Sequence, residues 1–134
     1  YRGQFQPSET LAAPRTFVTA NAVVADTDEE ARAAALPQAR MMARLRGGRP
    51  LVALETVEQA AAAEASDGLA GPMLDAMLSR WFVGTGPEAR AQIAEFAARH
   101  GVDEVMISPV AAATDAEPMD AAPSRIRTLE LLAA

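Results

Sequence analysis

Residues 81–108 run WFVGTGPEARAQIAEFAARHGVDEVMIS, and this stretch decides the fold. Trp81, Phe82 and Val83 form a short apolar run ended by Gly84, the pattern of a buried strand. Thr85 with Glu88 three residues on is a capping box, and Pro87 stands in the first turn of the helix that follows. That helix turns Ala89, Ile93, Phe96 and Ala97 inward. Arg99 and His100 lie in its last turn, where positive charge complements the helix dipole, and Gly101 ends it. Asp103–Ser108 is the next strand. A strand, a helix and a strand at this spacing predict a right-handed crossover and a parallel pair.

Working outward, TFVTANAVVA at residues 16–25 is rich in β-branched residues and lies between Pro14 and Asp26, which predicts a strand with Phe17, Thr19, Asn21 and Val23 on one face. Thr27 and Glu30 form a second capping box, with Asp28 and Glu29 placing negative charge at the positive end of the helix. Ala31, Ala34, Ala35, Gln38, Met41, Met42 and Leu45 recur at helical spacing. Pro37 should kink that helix or split it, and Gly47, Gly48 and Pro50 end it. Residues 51–71 fit either an extended segment or a short helix, so residues 48–80 are taken as a variable excursion, closed by a helix that opens at Gly71-Pro72 and buries Met73, Leu74, Met77 and Leu78. The stretch from Pro109 to Pro123 is expected to be a mobile loop, and the final helix, Ser124–Ala133, is expected to bury Ile126, Leu129, Leu132 and Ala133. Residues 1–15, with Pro7 and Pro14, read as an incoming connection. The sum is a parallel α/β segment of three strand-helix units. A parallel sheet this small calls for further strands, from outside residues 1–134, from a second copy, or from residues 1–15 and 51–57.

With 134 residues the chain fits one domain and can bury roughly two thirds of its unfolded surface. A net charge of −6 opposes nucleic acid and anionic membrane surfaces, which need clustered positive charge. All twelve basic residues are arginines scattered along the chain. The absence of cysteine excludes disulfides, thiolate nucleophiles and zinc-thiolate sites and suits the cytoplasm. No apolar run is long enough to span a bilayer, and the start, YRGQFQP, is no signal peptide. Because the chain begins at Tyr1, an upstream portion is expected.

Few residues offer chemistry. His100, the single histidine, is read as a helix-end residue, not a base. Asp26, Asp28, Glu29 and Glu30 belong to a helix start and lack the spacing of a cation loop. The VGTGPE turn at 83–88 could present amides to a phosphate, but it matches no phosphate-binding fingerprint and reads first as a tight turn. Met41, Met42, Met73 and Met77 are core or interface filler. Asn21 and Ser108 stand out as polar positions on strands, where a barrel enzyme would gather its ligand groups.

In chain order, AVVADTDEEARAAA (22–35), RLRGGRP (44–50), FVGTGPEARAQIAEFAARHGVDEVMIS (82–108) and SRIRTLELLA (124–133) resemble the C-terminal part of the luciferase-like flavin-dependent monooxygenases. The resemblance implies the last three strand-helix units of a (β/α)8 barrel, with residues 16–134 as barrel and 48–80 as the variable excursion. It also implies a cofactor, FMN or in some branches F420, held mostly by strands that precede this segment, and a small organic substrate. Asn21 and Ser108 are the candidate cofactor-binding residues here; no catalytic or metal-binding residue is assigned. The partners implied are the remainder of the barrel or a second copy, with a homodimer possible. Two rivals stand beside this: a noncatalytic binding or assembly module that completes its sheet by homodimerisation, and a small enzyme centred on Ser108 with a phosphate at Gly84–Glu88.

Overall fold

The structure is a computed structural model and describes residues 1–67, 71–118 and 120–134. A single 3₁₀ turn, Arg2–Gln4, precedes β1 (Phe17–Ala25), α1 (Asp28–Arg46), α2 (Val57–Asp67), α3 (Pro72–Leu78), β2 (Phe82–Thr85), α4 (Gly86–His100), β3 (Glu104–Pro109) and α5 (Pro123–Ala133). Both predicted capping boxes are present, Thr27 with Glu30 and Thr85 with Glu88. Gly101 closes α4 in the left-handed conformation.

The three strands are parallel in the order β2-β1-β3. Successive strands of a barrel lie side by side, which would put β2 in the middle; here β1 holds the middle. β2 is only four residues long and passes directly into the cap of α4, so it pairs only with Ala22–Ala25 at the carboxyl end of β1. β3 pairs with Phe17–Ala22 on the other edge. Among the described residues, neither 1–15 nor 51–57 supplies a further strand.

Side chains alternate across a strand, so Val23 and Val24 face opposite sides of β1. Val23 is fully buried against Ala35, Ala39 and Ala43 of α1 and Leu74, Met77 and Leu78 of α3. On the other side Phe82, in register with Ala22, meets Phe96 of α4 edge to face at 5.7 Å between ring centres. The carboxyl half of β1 is thus sandwiched between helices.

Helix α1 runs unbroken through Pro37, so the expected split does not occur. Pro37 removes the donor for the carbonyl one turn earlier. In that same turn the carbonyl of Ala34 accepts the amide of Ala112 at 2.9 Å. The buried ridge of α1 is Ala31, Ala35, Ala39 and Ala43, an i, i+4 row of small residues; Met41 and Met42 are half-buried and Leu45 is exposed. Arg40 is also fully buried, and its Nε donates to the Glu55 carboxylate at 2.8 Å, tying the residues before α2 onto α1. Thr56 and Gln59 make a third reciprocal cap at the start of α2. In α3, Leu74, Met77 and Leu78 are buried while Met73 points to solvent, contrary to expectation. Residues 68–70 of the excursion lie outside the described residues.

Two further expectations are corrected. The Pro109–Pro123 stretch, in which residue 119 is not described, is tied to the rest of the fold over residues 110–115, which its composition did not suggest. Val110 donates to Ala22, Ala112 to Ala34, and Ala113 accepts from Val57. Ala111 and Ala112 are buried, and Thr56 Oγ1 donates to Asp115 at 2.6 Å. In α5, Ile126 and Leu129 are exposed, as is Ala133, and Leu132 is half-buried; the buried residue is Thr128. Beyond Ala22 the edge of β1 has lost β3, leaving the amide and carbonyl of Val24 without a ladder partner. The Thr128 hydroxyl accepts the one at 3.1 Å and donates to the other at 3.2 Å. That requirement rotates the helix. α5 also presses on α4: a Cβ at Gly86 would stand 2.7 Å from the Leu131 carbonyl oxygen, which accepts from Arg90 at 2.6 Å.

Candidate functional site

The register of β1 and β3 sets Phe17 beside Glu104, Thr19 beside Met106 and Asn21 beside Ser108. These residues share one face of the parallel pair, since alternation puts every second side chain on the same side. The helices that bury Val23 do not reach the amino half of this face: Phe17 is 66% exposed and Met106 56%. Asn21 and Ser108 are half-buried at the boundary between the closed and open parts. Their side chains form no hydrogen bond with any other described residue. Two polar groups proposed from separate strands therefore lie side by side, an amide and a hydroxyl with free donors and acceptors.

Among the described residues, neither side chain of this pair is hydrogen-bonded to a general base. No carboxylate or imidazole hydrogen-bonds Ser108, and His100 stands at the carboxyl end of α4, exposed, with its ring 4.5 Å from that of Phe96. The phosphate-cradle reading of residues 83–88 fares no better. Both the Thr85 amide, at 3.1 Å, and its hydroxyl, at 2.6 Å, donate to the Glu88 carboxylate. A Cβ at Gly84 would meet the Asp28 Oδ1 at 3.0 Å and the Glu88 Oε2 at 3.2 Å. Carboxylates from the first turns of α1 and α4 thus occupy the turn and repel an anion. The Thr85 hydroxyl, followed by its amide and by Asp28, holds the Glu88 carboxyl below the usual range.

At the carboxyl end of β1, the end at which open α/β sheets gather ligands, a cleft of about 310 Å3 lies between α1, α5 and the residues after β3. Val24, Ala33, Ala34, Ala111 and Ala112 give it an apolar floor. At its rim Arg127 donates to Asp26 at 2.7 Å, and the Asp26 carboxylate, by hydrogen bond and then by charge, makes this guanidinium more basic than usual. Local sequence holds no sign of the Asp26–Arg127 pair, whose members are 101 residues apart. Of the acidic residues in 26–30, Asp26 pairs with Arg127 and Glu30 closes the Thr27 box, and among the described residues no group of three or more His, Cys, Asp or Glu side chains converges.

The fold and the site define a parallel α/β unit, sealed by helices around the carboxyl half of its central strand and open on one sheet face elsewhere. No family model matches the chain, and no curated protein matches it. Among solved structures, the crystal structure of apo-MsnO8 superposes with a TM-score of 0.78 at 24% identity, over 99% of this chain and 38% of that one. The likeness is one of fold, and this chain spans little more than a third of the length of that neighbour. No helix among the described residues is long and apolar enough to cross a membrane.

Proposed function

We propose that this chain is the C-terminal portion of a flavin-dependent luciferase-like monooxygenase or oxidoreductase that works in the cytoplasm, and that the open face of β1 and β3 belongs to the lumen of its (β/α)8 barrel. In this reading β1 and β3 are adjacent barrel strands, β2 is a short addition at the carboxyl end of β1, α4 and α5 lie outside, and the remainder of the barrel covers Phe17, Thr19 and Met106. The observation that carries the proposal is the uncovered face itself: a parallel strand pair exposing Phe17 and Met106 beside two unbonded polar side chains, Asn21 and Ser108. The sequence resemblance and the fold likeness to a chain more than twice as long support it.

FMN, or F420, is the cofactor proposed for the whole enzyme, where it supplies hydride transfer or oxygen chemistry toward a small organic substrate. The groups present fit a part of such a cofactor only. The Asn21 amide and the Ser108 hydroxyl can donate to and accept from the polar edge of a flavin ring, whereas the guanidinium beside this face, that of Arg15, is already paired with Glu104 at 3.0 Å. This chain would orient the ring and exclude water, and the phosphate would be held elsewhere in the barrel.

The test is an FMN titration of the 134-residue chain and of the longer protein, each with Asn21→Ala and Ser108→Ala variants. Binding by the longer protein that weakens in both variants, with none by the isolated chain, is the expected result. Unchanged affinity in both variants overturns the assignment of the two residues. The second reading, a module that homodimerises, rests on the same exposed Phe17 and Met106. A concentration-dependent dimer that dissociates in Phe17→Ser, without flavin binding by any form, would replace the first reading with it.

A further inference from the structure

At the opposite end of the sheet, where β2 begins and α4 ends, a shallow groove of about 410 Å3 runs between Arg80, Trp81, Gln92, Phe96, Arg99 and His100. Its volume falls at the low end of the roughly 300–1,000 Å3 typical of small-molecule sites. Trp81 packs partly on the hydrophobic core, and its indole has no ring partner and no hydrogen bond among the described residues. Phe82, Phe96 and His100 form a run of rings in contact, with centres 5.7 and 4.5 Å apart. The groove therefore holds aromatic surface on either side.

Charge is the second feature. The chain carries −6 overall, yet this groove holds two arginines and one carboxylate. Arg99 is engaged by Glu95 one turn earlier, whereas Arg80 has no ion pair and no side-chain hydrogen bond among the described residues. Gln92 likewise keeps its amide unbonded. An uncommitted guanidinium, a side-chain amide and an indole N–H next to flat apolar rings suit a ligand with a planar ring and an anionic group.

We propose that this groove binds a planar aromatic anion of nucleoside-monophosphate size, with the ring against Trp81 and the Phe96–His100 pair and the anion on Arg80. The site is separate from the Asn21–Ser108 face and does not depend on the flavin reading. Trp81 is the single tryptophan of the chain, so its fluorescence reports occupancy of this groove directly.

The experiment titrates adenosine 5′-monophosphate and, separately, adenosine into the 134-residue chain while Trp81 emission is followed. Saturable quenching by the monophosphate is expected, with a dissociation constant on the order of 0.1–1 mM for so open a groove. Adenosine should bind roughly three- to fivefold more weakly, the discrimination one exposed charge provides. Arg80→Gln should erase that difference while leaving the circular dichroism and the unfolding midpoint unchanged, since the side chain is exposed and bonds to nothing. Phe17→Ser, on the far face, should leave both titrations unaltered. Absence of saturable quenching by the monophosphate, equal affinity for the two probes, or a preference that survives Arg80→Gln overturns the proposal.

Discussion

The two halves of β1 share one strand and have opposite surroundings. Ala22, Val23 and Val24 are buried on both faces, with β2 on one edge and the Thr128 hydroxyl closing the other. Phe17 and Thr19 are exposed on a face that no element among the described residues covers. A strand buried on both faces is the normal state of a parallel sheet, and among the described residues the carboxyl half of β1 reaches that state while the amino half does not. The candidate cofactor residues, Asn21 and Ser108, sit where one regime gives way to the other.

Perturbations of the closed half should dominate stability. Glu55→Ala removes the carboxylate that accepts from Nε of the buried Arg40 on the helix that covers Val23, and the loss of this charge-assisted hydrogen bond is expected to cost about 2–3 kcal/mol in chemical denaturation. Thr128→Val keeps the volume but leaves the amide and carbonyl of Val24 unpaired in the interior, an expected loss of about 2 kcal/mol by the same measurement. If either variant proves neutral, the carboxyl half is less closed than its burial implies.

Acid tests the junction between β1 and β3. The Asp103 carboxyl is held below its usual range chiefly by the Thr16 amide, which donates to it at 2.7 Å. A carboxyl whose folded-state pKa is depressed stabilises the fold above its unfolded pKa, and that contribution is lost as pH falls through the folded value. Glu88 follows the same sign. Thermal midpoints should therefore drop as pH falls from about 6 to below the ordinary aspartate value near 4, and drop less in Asp103→Asn. The smallest effect belongs to the open face. Phe17→Ser and Met106→Ser should each stay within about 0.5 kcal/mol of the parent chain, because the side chains they replace are already in water. A larger loss would mean that the face is covered in solution, and sedimentation would then reveal a second copy.

Much of what is decided within one helical turn is legible in the sequence. The Thr27–Glu30 and Thr85–Glu88 boxes and the Gly101 stop follow from residues three or four apart. The Thr56–Gln59 box carries the same signal, and the apolar run before it and the alanines after it obscured the segment. The face of α5 was misjudged because Ile126 and Leu129 look like core, while the orientation of the helix answers to a backbone need at Val24, 104 residues away. The stretch after β3 reads as mobile from its composition, whereas the amides of Val110 and Ala112 donate to Ala22 and Ala34 and the carbonyl of Ala113 accepts from Val57, none of them near in sequence. Asn21 and Ser108 could each be singled out as polar positions on strands. Their juxtaposition depends on the β1–β3 register, and no local pattern sets that register.

The distance in sequence between those strands also sets a timetable. Thr19 waits 87 residues for Met106, and at about 5–20 residues per second of synthesis that is on the order of 5–15 s in which β1 exists without its main partner. During that interval β1 can borrow only β2, and only along its last four residues. The TFVTANAVVA segment is therefore this chain's exposed adhesive while it is being made, and a chaperone that recognises extended apolar strands would find it before β3 does.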